Sequence, residues 1–199
     1  MSIFHLGRKS SSGALPGEVS EIAAVGGLSG GQIITAVRTA SNLKLITWRA
    51  TASGPITKLA DSGNQVGAAS HIDIAHGKRI VIAFRTAGGD LKLVSWDVDP
   101  VTGAITRAGD SGTQAGTASR IKIASIINTR FVTAFRSGDG RIKLISWSLN
   151  ADGSFRRLAD SGNAGDPATE VSLLRLNTVG GSIHNLVTPI IDAAGNLKV

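Results

Sequence analysis

"AFRTAGGDLKLVSW", residues 83–96, recurs along the chain, and that recurrence sets the architecture. It returns as "AVRTASNLKLITW" at 36–48 and as "AFRSGDGRIKLISW" at 134–147. Each copy has a β-branched or alternating run, a turn rich in Gly, Asn, Asp or Ser, and a second run ending in tryptophan. That is the pattern of a strand, a turn and a strand. The copies continue as "ITKLADSGNQVGAASHI", "ITRAGDSGTQAGTASRI" and "FRRLADSGNAGDPATEV". Tryptophans at 48, 96 and 147, and Asp-Ser-Gly triplets beginning at 61, 110 and 160, set a period close to 50 residues.

A fourth copy reads across the two termini. "IIDAAGNLKV" (190–199) matches the start of the motif, with Leu197-Lys198-Val199 over Leu43-Lys44-Leu45. "HLGRKSSSGALPGEVSEI" (5–22) matches its end, with Ser12-Gly13 over Ser62-Gly63. About five residues are missing where a fourth tryptophan would stand. The repeats then run approximately 19–68, 69–117, 118–168, and 169–199 completed by 1–18.

Within a period, "HIDIA", "RIVIAFR", "LKLVSW" and "AITRAGD" are four short strand-like runs, and nothing reads as a useful helix. Four strands in about 50 residues is the unit of a β-propeller blade. In repeat length and strand pattern the whole chain resembles β-propeller repeat proteins. It carries no kelch double glycine with its aromatic partners and no sialidase Asp box. The resemblance implies an all-β propeller of four-stranded antiparallel blades. A four-bladed ring is expected, with the N-terminal strand "IFHLGRK" closing the last blade. Half of an eight-bladed ring shared by two chains is the alternative.

Composition agrees with many short strands. Among 199 residues there are 25 glycines, and 42% are hydrophobic with only 4% aromatic. The chain has no cysteine, which excludes disulfides and thiolate metal sites. No signal peptide or membrane-spanning segment is readable, and nothing fixes the compartment. The net charge of +7 favours an acidic polymer as a partner, although the basic residues are scattered. The scarcity of aromatic platforms argues against single-stranded nucleic acid.

Gly109-Asp110-Ser111-Gly112 spells the neighbourhood of a serine-protease nucleophile. The triplet recurs at 61 and 160, Thr113 stands where a second glycine belongs, and the four histidines hold no common repeat position. An aspartic protease would need two carboxylates from separate halves. The triplet therefore reads as a turn, with Asp bonding local amides and Gly at positive φ.

Arg38, Arg85 and Arg136 share one repeat position and Asp61, Asp110 and Asp160 another; in the fourth copy both change, to Asp192 and Ser11. An Arg–Asp ion pair in each blade, or between neighbouring blades, is the expectation. Trp48, Trp96 and Trp147 are candidate ligand platforms, weighed against burial between blades. Lys44, Lys92, Lys143 and Lys198 form one basic ring, and Arg8, Lys58, Arg107 and Arg157 another. Lys44, Lys92 and Lys143 join the tryptophans as ligand-binding candidates, while the second ring reads as protection of an exposed outer strand.

No phosphate loop, dinucleotide fingerprint or metal constellation occurs, so no cofactor is expected. The function expected is a non-catalytic, lectin-like module with equivalent sites between blades, taking carbohydrate or another protein. The alternative is a self-associating scaffold or a fragment of a larger propeller. An enzyme would have to use unrepeated residues such as His71, Asp73, His76 or His184.

Overall fold

A computed structural model describes residues 18–40, 42–51, 55–163, 165–177 and 184–199. β1 (Val19–Val25), β2 (Gln32–Thr39), β3 (Asn42–Arg49) and β4 (Thr57–Asp61) form one antiparallel sheet, ordered as in the chain. The second contains β5 (Ala69–His76), β6 (Ile80–Thr86), β7 (Leu91–Val98) and β8 (Ile105–Asp110). The third contains β9 (Ser119–Ile127), β10 (Arg130–Arg136), β11 (Ile142–Leu149) and β12 (Phe155–Asp160). Then follow β13 (Ala168–Val171), β14 (Leu174–Asn177), β15 (His184–Val187), β16 (Ile190–Asp192) and β17 (Leu197–Lys198). β13, β16 and β17 make a three-stranded sheet, and β14 pairs with β15. No α-helix occurs among the described residues. The chain is an all-β propeller of four-stranded antiparallel blades. The expected closing strand, "IFHLGRK", lies outside the described residues.

The blades stack through their faces. Ala36, Leu43 and Leu45 of the first blade pack with Ile72, Phe84 and Trp96 of the second. Ala83, Leu91 and Leu93 of the second then meet Ile121, Phe135 and Trp147 of the third. Ala134 and Ile142 of the third meet Ala168 and Val171 of the C-terminal sheet. A middle blade thus buries both faces, and the alternation of strand side chains no longer means inside and outside. It assigns each residue to the preceding or the following blade, so β6 can be apolar from Ile80 to Phe84 throughout.

Hydroxyls fix the stagger between blades. Thr47 Oγ1 donates to the Gly103 carbonyl at 2.8 Å, and Ser95 Oγ at the same repeat position donates to the Gly153 carbonyl at 2.6 Å. Both acceptors sit in tight turns at positive φ, +75° and +90°. A Cβ on Gly153 would lie 2.7 Å from the Ala108 Cβ and 2.8 Å from its carbonyl carbon, so the neighbouring blade leaves no room for a side chain there.

Candidate binding clefts

The Asp-Ser-Gly triplet is a structural clamp. Asp61, Asp110 and Asp160 each accept the N–H of the glycine two residues on, at 2.8, 2.7 and 2.7 Å. Those glycines lie at φ between +61° and +65°. The serine N–H donates to the carbonyls of Leu45, Leu93 and Leu144, and its Oγ accepts their amide N–H. One serine therefore satisfies both main-chain groups of the facing residue, as a strand partner would. With Oγ held as a hydrogen-bond acceptor inside a turn, Ser111 has no nucleophile geometry.

The expected Arg–Asp pairs do not form. Asp61 pairs instead with Lys44 and Lys58, at 2.9 and 2.7 Å. Asp110 pairs with Lys92 at 3.1 Å and with Arg107, and Asp160 with Lys143 at 3.0 Å and with Arg157. The two basic rings thus share one carboxylate per blade. Within a blade the register keeps them apart: Arg38 faces Leu43 across its hairpin, on the side of the next blade, whereas Asp61 faces Ile46, on the other side. Across the junction Arg38 is taken by Glu21 and Asp110 by Lys92 and Arg107. Burial raises the Asp61 pKa, but hydrogen bonds from Lys58, Lys44 and the Gly63 N–H outweigh it and hold the group at about 2. Asp110 is lowered in the same way, its burial outweighed by the Gly112 N–H, Lys92 and Arg107. Arg38 salt-bridges Glu21 at 3.2 Å, Arg136 Nε donates to the Ala168 carbonyl at 2.8 Å, and Arg85 Nε is buried without a partner.

The tryptophans are not exposed platforms. Trp48, Trp96 and Trp147 retain 8%, 1% and 0% of their accessible surface. Trp48 and Trp147 donate to the hydroxyls of Thr35 and Thr133, at 2.9 and 3.0 Å. The corresponding residue in the second blade is Ile82, and the Trp96 N–H is left unsatisfied.

Two kinds of cleft remain open. The first, of about 470 Å³, lies between the loop leaving β8 and the β10–β11 hairpin. Gln114, Thr117, Ser137, Lys143 and Asn163 line it, with buried Phe135 beneath. Thr117 is held at φ +48°. Lys143 lines this cleft, while its amine also serves Asp160. Lys44 lines a much smaller cleft with Val37 and Ile46.

The second kind gathers around the inner strands. Glu21, His71, Arg120 and Glu170 hold one repeat position and together line a cavity of about 180 Å³. Beside it, His71, Ser119, Arg120, Arg136 and Thr169 line another of about 370 Å³. His71 and Arg120 are both at φ +52°, where strands β5 and β9 bulge. Glu21 accepts the Ile72 N–H at 3.1 Å, and Asp73 accepts the Ile123 N–H at 2.8 Å, so each carboxylate ties one inner strand to the next. Burial raises the Asp73 carboxyl despite the Ile123 N–H. His76 closes β5 at its other end, and burial lowers its pKa.

No family model and no curated protein matches the chain. Among solved structures it is similar to AofleA from Arthrobotrys oligospora, at 12% identity and TM-score 0.60, over 88% of this chain and 51% of that one. It is also similar to the Aleuria aurantia lectin in complex with Fucα1-6GlcNAc, at 14% identity and TM-score 0.58, over 85% of this chain and 54% of the lectin. The NanB sialidase of Streptococcus pneumoniae matches at 15% identity and TM-score 0.52, over 86% of this chain and 27% of that one. At these identities the likeness establishes the fold. The chain spans about half the length of the first two.

Proposed function

We propose that the chain is a non-catalytic carbohydrate-binding module, with lectin-like sites repeated where the loop from one blade meets the hairpin of the next. The observation that carries this is the cleft of about 470 Å³ at Gln114, Thr117, Ser137, Lys143 and Asn163. Its size suits one or two sugar rings, and its lining is dominated by amides and hydroxyls suited to sugar hydroxyls. The repeat places Gln65, Thr86 and Lys92 at the corresponding positions of the preceding junction. The solved complex of the Aleuria aurantia lectin with Fucα1-6GlcNAc supports the same class of ligand. The experiment is a glycan array followed by calorimetry, with α-methyl fucoside among the probes. Specific binding that falls at least about tenfold in Ser137→Ala/Asn163→Ala supports the proposal. An array without a hit, or binding untouched by that variant, overturns it.

A second reading concerns self-association, and the exposure of equivalent residues favours it. Ile72, Ile121 and Val171 are 7%, 2% and 5% exposed beneath the preceding blade, whereas Ile22 at the same position is 67% exposed. At the other end Leu197 and Val199 are 72% and 86% exposed, while their equivalents Leu43, Leu45, Leu91 and Leu93 are all at 0%. These are the two halves of one junction, left apart. Because the arc superposes on half of the AofleA and Aleuria aurantia chains, its curvature suits a larger ring. We assign the missing half to a second copy, giving eight blades from two chains. Light scattering at twice 20.4 kDa supports this. A monomer at all concentrations overturns it in favour of closure within one chain.

A further inference from the structure

We propose that the cleft formed by His71, Ser119, Arg120, Arg136 and Thr169 is a binding site for a compact oxyanion, a sulfate, phosphate or carboxylate group. It is separate from the cleft that carries the proposed function and does not depend on it. The cleft of about 370 Å³ has no carboxylate in its lining. The nearby acids are already committed: Glu170 pairs with Arg120 at 3.1 Å, and Glu21 with Arg38 at 3.2 Å. Positive charge is left over. Arg136 spends Nε on the Ala168 carbonyl, which fixes the plane of its guanidinium, and its two terminal nitrogens meet no acceptor among the described residues. Such a preset fork fits two oxygens of one anion.

The backbone adds a second argument. His71 and Arg120 are non-glycine residues held in the left-handed region, a strained conformation for an L side chain. The other two residues at this repeat position, Glu21 and Glu170, are not strained in this way. The strain falls on the two members of the set that can carry positive charge, and both line the cleft. The charges acting on His71 are Glu21 from β1, Arg38 from β2, Arg85 from β6 and Arg120 from β9. Burial lowers its pKa first; Glu21 opposes this, and the three arginines add to it. A bound oxyanion would reverse the balance and draw a proton onto the imidazole, so binding should tighten as pH falls.

The test titrates the full chain separately with inorganic sulfate, methyl glucuronide and neutral methyl glucoside, following the His71 ring signals by NMR across pH. The expected result is a rise in the His71 pKa with sulfate or the glucuronide and none with the glucoside. Arg136→Gln should weaken that response at least about tenfold, while Lys143→Ala, in the other cleft, leaves it unchanged. Tighter binding of the glucuronide than of sulfate places the anion on a sugar; the reverse order places a free anion there. A flat His71 titration, an equal response to the glucoside, or full retention in Arg136→Gln overturns the proposal. The Lys143→Ala arm keeps this outcome distinct from failure of the carbohydrate cleft.

Discussion

Ile121 and Ile22 occupy the same place in successive repeats, yet one is 2% exposed and the other 67%. Ile121 lies beneath the second blade, among Ala83, Leu91 and Leu93. Among the described residues Ile22 has no equivalent roof. The contrast separates what a blade needs from what a junction adds. Each of the three four-stranded sheets closes through its own hairpins and its Asp-Ser-Gly clamp, but its inner strand is covered only by a neighbour. A blade of this chain is therefore a complete hydrogen-bonded unit and half of a hydrophobic one.

Truncation at the two isoleucines is the strongest test of that contrast. Ile121→Ala should cost about 3 kcal/mol in urea unfolding, and Ile22→Ala within about 0.5 kcal/mol in a monomer. Equal losses would mean that Ile22 is covered in solution; a loss at Ile22 that grows with protein concentration would identify a second copy as the cover. Next in size is Gly153→Ala, which adds a strained φ to a collision with Ala108 and should lower stability by about 2 kcal/mol. A neutral result would break the claim that the turn seats tightly on the preceding blade.

Smaller effects compare the tryptophans. Thr133→Val should cost about 1–2 kcal/mol by stranding the Trp147 N–H, as Ile82 already strands that of Trp96. Ile82→Thr should recover part of that energy, up to about 1 kcal/mol, and thermal melts of the two variants should move in opposite directions. The smallest effect is the pH response of the triads, because they are partly exposed and screened. Asp61 titrates at about 2 in the fold, below the roughly 3.9 of an unfolded aspartate. Its ionised form thus stabilises fully above about pH 4, and the contribution fades as pH falls toward 2. Asp61→Asn should flatten that acid limb of the urea-midpoint profile and leave the profile above pH 5 level.

Local grammar was legible in the residues. The hairpins at 36–48, 83–96 and 134–147, and the turn at each Asp-Ser-Gly, follow from spacing and turn chemistry that act within a few residues. No Arg–Asp pair forms within a blade because the two repeat positions lie on opposite faces of the sheet. Period-two alternation, carried from Leu43 to Arg38 and from Ile46 to Asp61, would have separated them. Of the two readings of the tryptophans, burial between blades holds, because in a stack of sheets both faces are interior. The cleft of His71 and Arg120 is not legible from the repeat, because their position reads Glu, His, Arg, Glu and no one chemistry runs through the copies. Only the bulges of β5 and β9 bring them to one cleft.

The strand order within each sheet follows the chain, and that has a consequence in time. All of a blade's ladders form from fewer than about 50 contiguous residues, so each sheet can assemble early and without waiting for distant segments. Stacking then propagates from one sheet to the next, as in other linear arrays. On the proposed closure, the meeting of Ile22 with Leu197 and Val199 would come last. If a second copy supplies the contact, this final step is bimolecular, and its rate sets how fast a full ring appears in dilute solution.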